Sequence, residues 1–347
     1  MNRKHEPRAG HILYTGAVLC STLLLFPGCA GFTSSEPDWV RNPKTAYPED
    51  RYLVAVGEGD TRRAAENAAA ANLSRIFESH IESDERLVDE VRETTDDFFR
   101  TTDMTTDINI LSSQTLINIQ HAEAWKDARA RYHAVAYLNR RETAAIYRDR
   151  VEELTGQVVA LLHQAEETDL PLGAYANLRA ALLTARENDL LLRQLRIIHP
   201  PTASAATPPF SVGDVQKATA QSARRILAEI DIEGDARERI TSSIEELVTG
   251  YGFVVGTPAV LRIEGSVSIT DTGQRTAGLS FFRYSLAVQI QDAAGNVLAS
   301  INQRGREGVT SPDEAEARCG RTLDNLIRTQ GTQRLDLFFD SLVEHGR

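Results

Sequence analysis

The spacing of hydrophobic positions changes abruptly near residue 60, from a pattern typical of a strand to one typical of a helix. Residues 52–56 (YLVAV) form a short apolar run, typical of a β-strand covered by other elements. From residue 62 the apolar positions recur every three or four residues, which predicts a helix with one buried stripe. The stripe consists of Ala65, Ala69, Leu73, Ile76, Phe77 and Ile81. Its early members are alanines, so we expect the helix to lie close to a sheet at its start.

Gly57, Gly59 and Asp60 separate the expected strand from the expected helix. The glycines predict a tight strand-to-helix turn. Asp60 is expected to cap the helix, because its carboxylate can accept from free backbone N–H groups of the first turn. A phosphate-binding loop is the alternative, but the stretch lacks a Gly-Lys-Ser/Thr ending, and the carboxylates of Glu58 and Asp60 would repel a phosphate.

Helical and strand-like spacings alternate over the next part of the chain. We expect helical spacing to continue over 84–104, strands over 108–125 and 132–138 with a polar turn at 126–130, and helices over 140–167 and 174–198. Pro171 lies in the break between the last two helices. The strands then form a hairpin, and the two helices form an αα-hairpin.

Four prolines between residues 199 and 210 indicate a linker, because proline cannot continue a helix or donate to a central sheet. Beyond it we expect a helical or mixed run over 212–223 and a helix over 235–249. We also expect strands over 226–232, 251–255, 260–269, 279–291 and 297–304, turns at 271–273 and 292–296, and two C-terminal helices. The pattern predicts an α+β protein: a strand-helix-hairpin-helix first domain with an αα-hairpin, then an α/β sandwich domain with a mostly antiparallel sheet.

The first residues differ from the rest of the chain. A positive segment with Arg3, Lys4 and Arg8 precedes an apolar run over 12–26, which is short for a membrane span and typical of a secretion signal. The run ends at Gly28-Cys29, which resembles the lipobox of bacterial lipoproteins, although Phe26 and Pro27 depart from that pattern. The resemblance implies lipidation at Cys29; a signal that is uncleaved, or cleaved elsewhere, is the alternative.

These observations divide the chain into five segments. We expect a lipoprotein signal peptide over 1–28, an extended and partly docked tether over 29–50, a first domain with its helical hairpin over 51–198, a proline-rich linker over 199–211 and a second domain over 212–347. Trp39, in the tether, is expected to pack on the first domain.

Composition narrows the possible partners. The net charge of −11, with no basic run after the first residues, argues against nucleic acid. Of three cysteines, Cys20 would leave with the signal and Cys29 would carry lipid, so an intramolecular disulfide is not expected. Cys319, in a helical run, is expected to be a small buried thiol.

No pattern points to catalysis, a metal site or a cofactor. The histidines, among them His133, lack metal-ligand spacing, and no Gly-x-Ser-x-Gly elbow is present. The pairs Glu152-Glu153 and Glu166-Glu167 are more typical of a solvated helix face, and the acidic residues around Gly234 are more typical of a turn than of a calcium loop.

Several motifs of the first domain together resemble the membrane-associated lipoprotein twenty family of bacteria and the related N-terminal domain of flagellar assembly protein T. They are 37-PDW-39, 54-VAVGEG-59, the alanine-rich helix, Trp125 and 132-YHAVAY-137. The resemblance covers residues 37 to about 150 and implies a lipid-anchored envelope protein without catalytic residues. In the second domain, the helix over 235–249, 250-GYGF-253 and the strand 262-RIEGSV-267 are faintly similar to periplasmic lipoprotein domains of the curli-secretion and penicillin-binding-protein-activator type.

Our hypothesis at this point is a non-enzymatic envelope lipoprotein that acts as a binding or assembly module. Its expected location is the periplasmic face of the outer membrane, because Ala30 rather than Asp follows Cys29, which resembles bacterial lipoproteins that are sorted to the outer membrane. Its expected partners are the membrane, through the lipid, and an unidentified periplasmic or outer-membrane protein. A cell-wall enzyme or enzyme activator and a flagellar accessory protein are the alternatives.

Overall fold

The computed structural model describes residues 36–92, 116–235 and 237–345. The expected signal peptide, Cys29, part of the helical spacing expected over 84–104 and the start of the strand expected from residue 108 lie outside these residues.

The elements of the first part follow the expected order, with differences at the ends. They are α1 (Asp38–Arg41), α2 (Pro43–Ala46), β1 (Tyr52–Gly59), α3 (Arg62–Arg92), β2 (Gln120–Lys126), β3 (Tyr132–Asn139), α4 (Arg140–Glu167) and α5 (Pro171–Ile198). The described part of the expected tether is therefore helical rather than extended. Pro43 occupies the first position of α2, where its fixed φ and missing N–H suit a helix start.

Three strands form an antiparallel sheet in the order β1-β3-β2. β1 pairs with β3 from Tyr52–Asn139 to Gly59–Tyr132, and the pairing of β2 with β3 is interrupted by a bulge between His121 and Ala124. Helix α3 contacts all three strands. The expected hairpin is confirmed.

Helices α4 and α5 form the expected αα-hairpin and are tied to the first sheet. The Asn139 side chain caps α4, accepting from the backbone N–H groups of Arg141 and Glu142 at 3.2 Å each. The Arg140 guanidinium donates to the carbonyls of Ile197 and Ile198 at 2.8 and 2.7 Å, in the last turn of α5, where a cation is favourable. α5 begins at Pro171 rather than Ala174, because proline suits the first turn.

The second part contains helices, short strands and three long strands. They are α6 (Pro200–Ala205), α7 (Val212–Ala223), β4 (Leu227–Glu233), α8 (Arg239–Gly250), β5 (Val254–Val255), β6 (Leu261–Thr276), β7 (Leu279–Asp292), β8 (Val297–Val309), α9 (Pro312–Leu326), a π-helical turn (Ile327–Gly331) and α10 (Thr332–His345). The proline-rich stretch thus contains a one-and-a-half-turn helix, whose Ala203 is buried.

The second sheet is mixed, in the order β5-β4-β6-β7-β8. β4 runs parallel to β5 and β6, and the long strands β6, β7 and β8 pair antiparallel. Cys319 of α9 is fully buried in the core beneath this sheet, as expected. The molecule is thus an α+β protein, as the sequence predicts.

Two local predictions in the second part are wrong. The turn expected at residues 271–273 is a bulge within the β6–β7 pairing, and the chain reverses instead at Ala277 and Gly278, both with positive φ (52° and 80°). The strand expected over 251–255 shrinks to two residues, because Gly252 adopts φ +82° and Phe253 turns into the core.

The helical hairpin belongs to both hydrophobic cores. Its closed end packs with the second sheet through Val158, Leu161, Tyr175, Ala176, Ala181, Leu182 and Ala185. Its open end packs with the first sheet through Ala144, Tyr147, Val151, Leu154, Leu191, Leu192, Leu195 and Ile198. The same pair of helices, which lies between the two sheets in the chain, therefore packs against both of them.

A polar junction joins the hairpin to the last helix. Arg179 of α5 donates to Asp336 and Asp340 of α10 at 2.7 and 3.1 Å, and the Tyr251 hydroxyl donates to Asp336 at 2.7 Å. Burial and this hydrogen bond raise the pKa of Tyr251 above its usual value. Tyr175 packs edge-on against Phe253 and Phe339 beside this junction.

Candidate functional site

The motif glycines lie within β1, where α3 comes closest to the sheet. A Cβ placed on Gly57 would lie 2.5 Å from the carbonyl oxygen of Ala65 and would overlap the backbone N of Ala69. A Cβ on Gly59 would lie 2.6 Å from the backbone N of Ala65. The expected tight turn is present, since only two residues separate β1 from α3. The glycines, however, lie in the strand rather than in the turn, and they allow backbone-to-backbone contact between strand and helix.

The same packing leaves no anion cradle at the glycines, so the structure does not support the phosphate-loop alternative. The alanine stripe behaves as expected, because Ala65, Ala69 and Leu73 are fully buried beneath the strands.

The cap of α3 is Thr61, not Asp60. The helix begins at Arg62, and the Thr61 hydroxyl accepts from the backbone N–H of Ala64 at 3.1 Å. Asp60 stands one residue too early for this role and is exposed. The sequence Thr61-Arg-Arg-Ala64 is the signal for this cap, because the hydroxyl oxygen of the capping residue accepts from the backbone N–H of the third helical residue.

The short N-terminal helices cover the sheet on the side opposite α3. Trp39 of α1 is 7% exposed, and α1 contacts β3, so its expected packing on the first domain is observed. Val135 points away from α3, since it alternates with the core residue Ala136, yet it is fully buried. The sheet is therefore covered on both faces.

Three tyrosines hold the N-terminal segment against this second face. The ring of Tyr47, which follows α2, lies 5.6 Å from that of Tyr52 and 5.0 Å from that of Tyr137 between centroids. Tyr52 and Tyr137 meet edge-on at 5.7 Å. Burial raises the pKa of the Tyr47 hydroxyl above its usual value. This cluster is not apparent from the spacing of apolar residues, and Tyr47-Pro48 before the strand is its only signal in the sequence.

Trp125 lies beside His133 on the same face, with ring centroids 5.4 Å apart. The two histidine nitrogens face Glu58 at 3.7 Å and Asp127 at 3.6 Å, and Glu58 is opposite His133 in the β1–β3 register. His133 is thus not isolated in space as its sequence spacing indicates. Cross-strand neighbours of this kind emerge only once the register is known.

Asp127 also closes the β2–β3 turn. Its carboxylate accepts from the backbone N–H groups of Arg129 and Arg131 at 2.9 and 2.8 Å. The pKa of Asp127 is held below its usual value, mainly by the backbone hydrogen bond from Arg131 and to a smaller extent by His133. The charged groups around Trp125 thus have local partners and fix the end of the hairpin.

The described residues contain no group of three or more His, Cys, Asp or Glu side chains placed to hold a metal. Burial raises the pKa of the Cys319 thiol, which keeps it in the less reactive protonated form. Among the described helices, none combines the length and apolar character that a membrane span requires.

The second sheet presents a different surface. Helices α9 and α10 contact strands of this sheet, whose buried side chains include Ile263, Leu286 and Ile301. The alternate positions on β6, β7 and β8 form an outer face that the sequence analysis did not single out. Its residues include Glu264, Ser266, Ser268, Thr270, Arg283, Ser285, Gln289, Asn302, Arg304 and Arg306.

Comparisons with known proteins agree with the geometry of the first domain. Residues 37–139 match the LPP20 lipoprotein family, and this range ends with β3. No curated protein matches the chain.

Two solved structures are similar to the chain. The secreted protein HP1454 from the human pathogen Helicobacter pylori is 15% identical, with a TM-score of 0.41, over 80% of this chain and 97% of that chain. A minor lipoprotein from Acinetobacter baumannii is 11% identical, with a TM-score of 0.24, over 33% of this chain and 93% of that chain.

LPP20 is not a known enzyme family, and its description as a lipoprotein family implies lipid anchoring to a membrane. The resemblance seen in the motif residues is confirmed, and residues 37–139 are an LPP20 lipoprotein family domain.

Proposed function

We propose that this chain is a lipid-anchored bacterial envelope lipoprotein that acts as a non-catalytic binding or assembly module. Cys29 carries the lipid, and the two α+β domains lie on the periplasmic face of the outer membrane. The observation that carries the proposal is the order of three features: an apolar leader, the lipobox-like Gly28-Cys29, and an LPP20 lipoprotein family domain that begins at residue 37.

The small number of residues between Cys29 and the buried Trp39 is consistent with a first domain held close to the membrane. About ten residues span at most ~35 Å whatever their conformation. Because Trp39 is packed on the first sheet, a lipid on Cys29 keeps this sheet within that distance of the membrane surface. Several acyl chains of the kind that bacterial lipoproteins carry are sufficient for stable anchoring.

The roles of the motif residues support a binding or assembly module. Gly57, Gly59 and Trp39 serve packing, and Asp127 closes a turn beside Trp125 and His133. These residues build a sheet that is packed on both faces, and none of them is left with a catalytic role, so the first domain serves as a structural support for the rest of the module. The proposed partner is a periplasmic or outer-membrane protein.

Incorporation of radiolabelled palmitate tests the anchor. We expect label on the wild-type protein and on Cys20→Ser, which removes a cysteine of the leader, and no label on Cys29→Ser. Unlabelled wild-type protein would contradict the proposal, as would equal labelling of the Cys29→Ser variant.

Two further measurements test the location and the non-catalytic role. Density separation of inner and outer membranes should place the wild-type protein in the outer-membrane fraction. Purified protein should release no soluble fragments from peptidoglycan, whereas a cell-wall enzyme would; an increase in the rate of an added synthase would favour the activator alternative. Loss of motility on deletion would favour the flagellar alternative.

A further inference from the structure

Three arginines at one corner of the outer face of the second sheet form what we call the basic corner: Arg283 on β7 and Arg304 and Arg306 on β8. All three side chains are exposed. Arg283 and Arg306 are directly opposite in the β7–β8 register, and Arg304 is the diagonal neighbour of Arg283. Side chains in these relations lie about 5 Å and about 7–8 Å apart at their Cβ atoms.

The basic corner contains positive charge without acidic partners. Within the described part of the chain, none of its three arginines makes an ion pair, whereas Arg262, Arg275 and Arg318 of the same domain each do. Arg306 instead contacts neutral groups: it donates to the Gln274 side chain at 2.8 Å, and its guanidinium lies 4.8 Å from the centre of the Phe281 ring.

Like charges directly opposite on neighbouring strands destabilise a sheet. The Arg283–Arg306 pair therefore has a cost in the free protein, and a bound anion would remove it. Arginine is suited to such an anion, because its planar guanidinium binds phosphate through two parallel hydrogen bonds.

Two acidic residues adjoin the basic corner, but both pair with other arginines: Asp271 with Arg275 and Glu307 with Arg318. The acidic residues farther along the same face are too distant to neutralise it. Glu264 lies six residues along β6 from Thr270, the residue opposite Arg283, which places the two rows about 20 Å apart. This distance exceeds two Debye lengths at physiological ionic strength, about 8 Å each. The basic corner therefore presents its own local field, despite a net charge of −11 for the chain.

The adjoining hairpin tip favours a membrane surface over an acidic protein as the partner. Residues 276–282 (TAGLSFF) contain no charge and form the end of the β6–β7 hairpin, where the chain reverses at Ala277-Gly278. Leu279 and Phe281 are half-exposed beside the arginines. An uncharged tip with apolar side chains, flanked by arginines, suits the boundary between lipid headgroups and acyl chains.

We propose that the basic corner and the hairpin tip of the second sheet dock on anionic phospholipid headgroups. This docking rests on the proposed function, since it requires the chain to reside at a membrane. It gives the lipid-anchored protein a second membrane contact, in the domain farther along the chain from Cys29, and it orients the second sheet toward the bilayer.

Vesicle co-sedimentation of the full chain carrying Cys29→Ser tests the docking without any contribution from the acyl chains. The probes are phosphatidylethanolamine vesicles with and without phosphatidylglycerol. We expect binding to the anionic vesicles to fall about fivefold for each arginine replaced by glutamine, and about 100-fold for the Arg283→Gln, Arg304→Gln, Arg306→Gln variant. Added salt should weaken wild-type binding.

The matched control removes the same charge elsewhere. Arg63→Gln, Arg141→Gln and Arg334→Gln alter exposed arginines on α3, α4 and α10 and should leave binding within about twofold. Equal losses in the two triple variants, or equal binding to vesicles without phosphatidylglycerol, would overturn the docking. So would arginine-dependent binding to polyglutamate with none to vesicles. If circular dichroism shows that the triple variant does not fold, the single variants are tested in the same way.

Palmitate labelling measures lipidation at Cys29 and does not depend on vesicle binding. Failure of the anchor and failure of the docking are therefore distinguishable.

Discussion

The two sheets of this protein differ in how many of their faces are covered by other elements. The three-stranded sheet is covered on both faces, by α3 on one side and by the N-terminal helices with Tyr47 on the other. The five-stranded sheet packs helices on one face and leaves the other exposed, with charged and polar side chains at alternate positions. In the first sheet the distinctive residues serve packing; in the second they face the surroundings.

This difference explains where sequence motifs and surface chemistry are found. A sheet covered on both faces needs close contact, so its motif consists of glycines, alanines and aromatic residues. A sheet with one solvent-facing side can change its outer residues without disturbing the core. Interaction chemistry is therefore to be sought on the outer face of the second sheet, although the recognisable family motif lies in the first.

The largest expected effect tests the packing of the first sheet. Gly57→Ala places a Cβ against the backbone of Ala65 and Ala69, which can relax only if α3 moves off the strand. We expect a loss of about 3 kcal/mol in the free energy of unfolding, at the upper end for an overpacked site, because the contact is with backbone atoms. Tryptophan fluorescence during urea unfolding measures it, because both tryptophans, Trp39 and Trp125, belong to this region.

A second glycine-to-alanine change is the control for this prediction. Gly156 lies on the exposed side of α4, where an added Cβ meets nothing within 4 Å. Gly156→Ala should stabilise the protein by about 0.5–1 kcal/mol, since alanine has the higher helix propensity. Similar stability of the two variants would show that α3 does not require its close approach at Gly57.

A smaller effect tests whether the shared helical hairpin couples the two sheets. Arg179→Ala removes the bonds to Asp336 and Asp340, and we expect a loss of about 2 kcal/mol, because the arginine is largely buried while the carboxylates keep partial access to water. The change lies beside the second core. Tryptophan fluorescence, which reports on the first sheet, should nevertheless shift together with far-ultraviolet circular dichroism.

Arg150→Ala provides the comparison on the same hairpin. Arg150 pairs with Glu153 and Glu187 on the exposed surface, where ion pairs contribute about 0–1 kcal/mol. A circular dichroism transition that separates from the fluorescence transition in Arg179→Ala would contradict the coupling, since the two sheets would then unfold independently.

The sequence predicts those parts of the fold that local periodicity determines. The helices over 140–167 and 212–223 have the expected bounds, because their stripes are regular and Asn139 and Ser211 provide caps. The antiparallel strands and the αα-hairpin follow from alternation and from the break near Pro171. Buried Cys319 follows from the apolar spacing of its helix.

The remaining features depend on distances that a sequence does not contain. Glycines at 57 and 59 are equally compatible with a turn and with close helix packing, and only the position of α3 decides between them. His133 gains its neighbours through register, and Gly273 forms a bulge because a later Ala-Gly pair makes the turn. The basic corner requires Arg306, which lies beyond the end predicted for its strand.

The smallest expected effect tests the exposed face itself. Arg283→Gln removes one of two opposed arginines, so the free protein should become more stable by about 0.3 kcal/mol at low salt, and the gain should shrink as salt screens the repulsion. The control is Arg262→Gln on the same face, whose guanidinium lies 3.7 Å from Glu229 and which should be neutral or slightly destabilising. Thermal unfolding at two salt concentrations separates the two. Equal destabilisation by both changes would mean that Arg283 and Arg306 do not repel each other measurably, and the free protein would then have no energetic cost at this pair for a bound anion to remove.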